Sequence, residues 1–179
     1  MEKATLAAGC FWCVEAVFKR IKGVKKLKSG YSGGEEVNPS YREVSSGKTE
    51  HAEAVQIAYD PKAISYEDLL YIFFRTHDPT QVDRQGPDVG HQYRSVIFYH
   101  DEEQKVKAEK TKKEAQKLYD DPIATEIKPY KAFYEAEESH QDYYDRNKDT
   151  RYCKVIIDPK INKLQKSYEK YLKDEDKKT

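Results

Sequence analysis

Apolar residues along this chain recur with two periods, and the changes between them mark the elements. Residues 4–9 form a short apolar run that reads as a buried strand. From 11 to 21 the apolar positions Val14, Val17, Phe18 and Ile21 fall at helical spacing, and Gly23 stops that helix. Val24 to Tyr31 reads as a second strand, followed by a Ser32-Gly33-Gly34 turn and a polar, looped segment to Glu50. Ala52 to Tyr59 alternates with Val55, Ile57 and Tyr59 on one face, a half-buried strand ended by Asp60-Pro61. Ser65 to Asp68 carries an N-terminal capping signal, and Leu69, Leu70, Ile72, Phe73 and Phe74 continue it as a helix. Between Asp78 and His91 lies a long loop, a length that usually has a functional reason. Tyr93 to Tyr99 alternates again as a strand.

The order β-α-β-β-α-β predicts an α+β two-layer sandwich with a ferredoxin-like split β-α-β core and extra C-terminal helices. Asp101 to Gln104 opens a charged outer helix to about Tyr119. Ala124 to Tyr130 is expected as an edge strand and Glu137 to Arg146 as a short helix. Residues 160–173 place Ile161, Leu164, Tyr168 and Leu172 along a final helix, and 174–179 should fray. No repeat or linker divides the chain. One catalytic domain over 1–179 is expected, with a core of about 4–130 and a C-terminal extension of about 131–179 carrying Cys153.

Composition narrows the function. Apolar residues make up 37% and charged residues 36%, and fifteen tyrosines offset part of the apolar shortage. Lys+Arg and Asp+Glu both total 32, so no net field points to nucleic acid or an anionic membrane. No apolar run approaches the ~20 residues of a membrane helix. The N-terminus lacks a signal-peptide core, and three cysteines cannot complete a disulfide framework. A cytoplasmic location is expected, where cysteines are more often catalytic or metal-binding than structural.

Cys10 and Cys13 enclose Phe11 and Trp12 just where a strand hands over to a helix. Free N–H groups and the dipole at a helix start favour a thiolate, the nucleophilic form of cysteine. C-x-x-C is shared by thioredoxin-like dithiol oxidoreductases and by halves of zinc sites, so this motif leaves both readings open. Glu53 interrupts an Ala-rich lead into a buried strand, where burial would make it a proton donor near neutral pH. The segment Asp83 to Ser95 holds two Gly, a Pro and several hydrogen-bonding side chains suited to lining a site. His77 and His91 have no His or Cys partner at ligand spacing.

Five blocks occur in order: Gly9-Cys10-Phe11-Trp12-Cys13-Val14-Glu15, Gly30-Tyr31-Ser32-Gly33-Gly34, Asn38-Pro39-Ser40-Tyr41, His51-Ala52-Glu53-Ala54-Val55 and Gln92-Tyr93-Arg94-Ser95. With them the chain resembles the peptide methionine sulfoxide reductases of the A type, from about residue 4 to 153. It departs at Glu50 and Cys13, where that family often has Gly.

The resemblance implies reduction of the S epimer of methionine sulfoxide, free or in oxidised proteins and peptides, without a metal or bound cofactor. It implies Cys10 as nucleophile, Glu53 as acid, Tyr41 and Tyr93 as hydroxyl donors to the oxygen, and Asp88 as an organiser of the site. Phe11 and Trp12 would wall the S-methyl group. A sulfenic acid on Cys10 would then be resolved to a disulfide and recycled by thioredoxin, or by dithiothreitol in vitro. Cys153 lies where relatives carry a resolving cysteine. Cys13 is nearer, but on a regular helix a pair three apart needs the first turn opened; Cys153 is therefore favoured, with a relay on to Cys13 also open.

Overall fold

Alternation in Ala52–Tyr59 builds β3, which pairs antiparallel with β1 (Glu2–Ala8) and with β2 (Val24–Ser32). In the computed structural model, which describes residues 1–178, β1 is flanked on its other side by β6 (Ser95–Tyr99). The edges are β7 (Glu126–Pro129), parallel to β6, and β8 (Phe133–Glu135), antiparallel to β2. The six-stranded order is β7-β6-β1-β3-β2-β8, a mixed α/β architecture.

The two faces of the sheet are unequal. Leu6, Val55, Ile57, Tyr59 and Ile97 pack into one cluster with α1 (Phe11–Phe18) and α3 (Tyr66–Arg75). Fully buried side chains there, such as Phe18, Leu69 and Phe73, each contribute roughly 1.5–3 kcal/mol. The opposite face carries only a small cluster around Ala7, Ala52, Ala54, Val96 and Phe98. Because side chains alternate along a strand, Glu53 shares the helix-covered face with Val55 and Ile57. α4 (Glu102–Ala115) lies outside as expected, burying little more than Ala108 and Ala115 of its apolar residues.

Several expected elements end or begin elsewhere. α1 stops at Phe18 because Arg20 and Ile21 donate to carbonyls three residues back, and Ile21 bridges to Leu172. The same contacts shorten the last helix. α6 (Asp158–Ser167) gives way so that Lys173 N donates to Arg20 O at 2.9 Å. The polar stretch before β3 contains α2 (Tyr41–Ser45), started by a reciprocal Ser40–Glu43 cap. The long loop holds a small hairpin, β4 (Arg84–Gln85) and β5 (Asp88–Val89). Tyr93 stands in a 3-10 turn rather than a strand, entered through Gly90 at φ 148°. The helix expected over Glu137–Arg146 is split into a 3-10 turn and α5 (Tyr143–Arg146) by Asp142 at φ 53°. Lys173 is followed by a further 3-10 turn, Asp174–Asp176, inside the stretch expected to fray, and Thr179 lies outside the described residues.

The C-terminal extension docks through Gln141, whose buried amide behaves as a piece of strand. Its Oε1 accepts from Ser29 N at 2.9 Å, and its Nε2 donates to Ser29 O at 2.8 Å and Ala136 O at 3.1 Å. Among the described residues no helix is long and apolar enough to cross a membrane.

Candidate active site

β1 ends at Ala8, and Gly9 turns the chain at φ 90°. A Cβ there would sit 2.6 Å from Gln85 Cβ, so only glycine lets the β4–β5 hairpin lie against the turn. Cys10 follows in extended conformation as the residue before the helix, and Cys13 N donates back to Cys10 O at 3.1 Å. Both sulfurs are buried, and all three cysteines are free.

Helix-start reasoning anticipates an ionised Cys10, and here the structure corrects it. The Cys10 side chain takes no bond from the helix N–H groups. Burial pushes its thiol well above the ordinary value, and Cys13 and Glu53 push it further. Cys13 is the sulfur pulled down, chiefly by the neighbouring Cys10 thiol, then by Tyr152, whose Oη lies 3.3 Å away, and by the charge of Lys160, against the opposing effect of burial.

Glu53 is 1% exposed and its carboxyl is pushed up to about 8, chiefly by desolvation. Phe11 N donates to its Oε1 at 3.0 Å, while its Oε2 is buried with no hydrogen-bond partner. Glu53 thus holds a proton at neutral pH on a carboxyl beside the Cys10 turn. Tyr41, first residue of α2, is raised to about 12 by burial and then by the charges of Glu53 and Cys10. Tyr93 is raised for the same reasons, so both phenols remain donors around one centre. Asp88 on β5 is half-buried and accepts from Tyr152 Oη at 2.7 Å. Desolvation raises its pKa.

Phe11 is fully buried, its ring 6.2 Å from that of Tyr41. Trp12 stacks on Tyr143 with centroids 3.7 Å apart and donates from Nε1 to His140 Nδ1 at 3.2 Å. His140 in turn stacks on Tyr41 at 4.1 Å. Cys153 is fully buried in a π-helical turn, Cys153–Ile157, that leads into α6. Its thiol is raised by burial.

The fold therefore gathers Cys10, Cys13, Glu53, Tyr41, Tyr93, Asp88, Phe11 and Trp12, with the turn that carries Cys153 packed against α1. Sequence reasoning missed Glu137, His140, Tyr143 and Tyr152. Glu137 orients Tyr41 by accepting from its backbone N at 3.1 Å while Tyr31 donates to its other oxygen. The available signal was aromatic density, since His140, Tyr143, Tyr144 and Tyr152 crowd one stretch of a charged tail.

A pair of buried free thiols beside a protonated acid is the arrangement of a cysteine-based oxidoreductase. Residues 2–172 match the family model for peptide methionine sulfoxide reductase. The reductase of Sulfolobus acidocaldarius is 55% identical over 94% of this chain and 96% of its own length. One from Thermus thermophilus is 51% identical over 96% of this chain and 98% of its own. The crystal structure of reduced Mxr1 from Saccharomyces cerevisiae superposes with a TM-score of 0.79 at 42% identity, over 85% of this chain and 88% of that one. A structure of Mxr1 in complex with Trx2 aligns at 0.56 with 34% identity, over 79% and 84%. This chain belongs to the peptide methionine sulfoxide reductase family, and the reaction it catalyses is the reduction of methionine sulfoxide.

Proposed function

We propose that this enzyme reduces the S epimer of methionine sulfoxide, free or within oxidised proteins and peptides, through a sulfenic acid on Cys10. The observation that carries the reading is Glu53: a buried carboxyl protonated at neutral pH, with one oxygen bonded to Phe11 N and the other unpaired. A sulfoxide oxygen must leave with a proton, and Glu53 supplies it. Tyr41 and Tyr93 donate to the oxygen as charge develops there. Cys10 attacks the sulfoxide sulfur as its proton passes to Cys13. The protonated oxygen then moves to the Cys10 sulfur as its bond to the substrate sulfur and the new sulfur–sulfur bond break, and methionine departs, leaving a sulfenic acid on Cys10. Phe11 and Trp12 form the apolar surface for the methyl group. Fixed places for oxygen, methyl and attacking sulfur admit one configuration at a tetrahedral sulfur, and the family resemblance makes it S.

Cys13 then resolves the sulfenic acid. The place of Cys10 ahead of the helix, with an extended backbone, supports this choice over Cys153, although the turn that Cys13 N closes on Cys10 O must still open for the sulfurs to join. Cys153, fully buried at the start of the π-helical turn, is the secondary thiol that receives or relays the disulfide. Thioredoxin is the proposed reductant, supported by the Mxr1–Trx2 complex of the yeast relative. No bound cofactor or metal enters this chemistry, and a reducing cytoplasm is the proposed compartment. The strand order β6-β1-β3-β2 supports the split β-α-β reading of the core. Residues 1–179 act as one catalytic domain whose extension completes the site.

The test is a single turnover with racemic sulfoxide, followed by chiral separation and mass spectrometry of the cysteines. Consumption of one epimer with one methionine per enzyme and an oxidised Cys10 is expected. Methionine released equally by Cys10→Ser overturns the assignment.

A further inference from the structure

We infer that Tyr152 and Asp88 form a proton relay that activates Cys13 for its attack on oxidised Cys10. The inference rests on the reductase reading above and concerns the step after methionine has left. Three groups stand in line: Cys13 Sγ is 3.3 Å from Tyr152 Oη, and Tyr152 Oη is 2.7 Å from Asp88 Oδ2. A phenol has one proton to give and can accept another. With Tyr152 donating to the Asp88 carboxylate, the Cys13 thiol is left to donate to Tyr152. Shifting both protons one place leaves Cys13 a thiolate, Tyr152 neutral and Asp88 protonated.

The chain needs this shift because Cys13 has taken the Cys10 proton during sulfoxide reduction, and a thiol is a poor nucleophile. The Cys13 proton passes to Tyr152 as the Tyr152 proton passes to Asp88. The freed sulfur attacks Cys10, the S–S bond forms, and the Cys10 S–O bond breaks. The departing oxygen leaves as water, taking a proton from Glu53 once solvent has restored it. One thiol and one sulfenic acid thus yield one disulfide and one water. The Lys160 ammonium, anchored to Thr76 O at 2.5 Å, steadies the transient charge on Cys13. Cys13 is a departure from the family pattern, so the relay serves a thiol that many relatives lack. Tyr152 touches the reacting sulfur and is catalytic in this step, whereas Asp88 acts through it.

The experiment uses the full chain with Cys153→Ala, leaving Cys13 as the sole resolving thiol. Reduced protein is mixed with one equivalent of methionine sulfoxide and quenched at intervals from pH 5.5 to 9, with sulfenate trapped by dimedone. With the relay intact, the disulfide should form at a nearly constant rate across neutral pH. Tyr152→Phe should slow it by at least about tenfold at pH 6, let sulfenate accumulate, and recover as pH rises. Asp88→Asn can still accept from Tyr152 but takes no proton, so it should reproduce the defect, where a merely structural Asp88 would not. A parental pH profile in either variant overturns the relay, as does a parent enzyme that accumulates sulfenate without a Cys10–Cys13 disulfide. A parent that releases no methionine overturns the underlying reading instead.

Discussion

Glu53→Gln should make this enzyme slower and, at neutral pH, relatively more stable. Glu53 is buried, and its carboxyl rises from an ordinary 4.5 to about 8. A shift of that size corresponds to roughly 5 kcal/mol between folded and unfolded chains, at about 1.4 kcal/mol per unit. Its sign follows from the raised folded pKa. The fold binds the extra proton between pH 4.5 and 8, so stability is greatest below 4.5 and declines as pH climbs through 8. At pH 7 the folded wild type has given up about 3 kcal/mol relative to pH 4.5. Gln carries no such term. Its amide keeps the bond from Phe11 N but buries unpaired N–H groups, a cost of about 1–3 kcal/mol that does not vary with pH. The stability difference between variant and wild type should therefore shift by about 3 kcal/mol in favour of Gln from pH 4.5 to 7, measured by guanidinium unfolding of both proteins. Over the same change the sulfoxide step should slow by about 10²–10⁴-fold, and the wild-type rate should fall above pH 8. A stability difference that stays flat with pH would mean that Glu53 ionises like any exposed carboxylate, and the acid would have no proton to give.

Tyr41→Phe and Tyr93→Phe should each lower single-turnover reduction by about 10²-fold with little change in sulfoxide binding, checked by rapid-quench against equilibrium titration. Gly9→Ala places a methyl 2.6 Å from Gln85 Cβ at φ 90°, and should cost at least about 1–3 kcal/mol in chemical unfolding. Gln141→Ala removes three buried hydrogen bonds. It should lower stability by about 2–4 kcal/mol and increase proteolysis within 137–152 before the sheet is cut.

The periodic core was legible because side-chain alternation and helical spacing leave a direct mark. Val55, Ile57 and Tyr59 show their strand, and Glu53 falls on its buried face by parity alone. Tyr41 was legible as a site residue but not as the start of a helix, since α2 is a single turn set in polar sequence. Tyr93 alternates with the strand after it, yet Arg94 pulls the backbone aside by donating to His91 O and Glu50 O. Local pattern carries no trace of that. The ionisation of the cysteine pair escapes sequence reasoning for a related cause. A helix start favours a thiolate only when its N–H groups reach the sulfur, and burial of Cys10 outweighs the dipole. His140, Tyr143 and Tyr152 reach Trp12 from more than a hundred residues away, through tertiary contacts that spacing cannot reveal.

Those late-arriving residues have a consequence for biosynthesis. The nucleophile and the acid emerge from the ribosome well before Glu137, His140, Tyr143 and Tyr152, which lie much further along the chain. A nascent or prematurely ended polypeptide can pair its sheet but carries a half-walled pocket. Catalytic competence thus arrives only once the chain has been made through Tyr152, and copies broken off before it would be silent rather than misdirected.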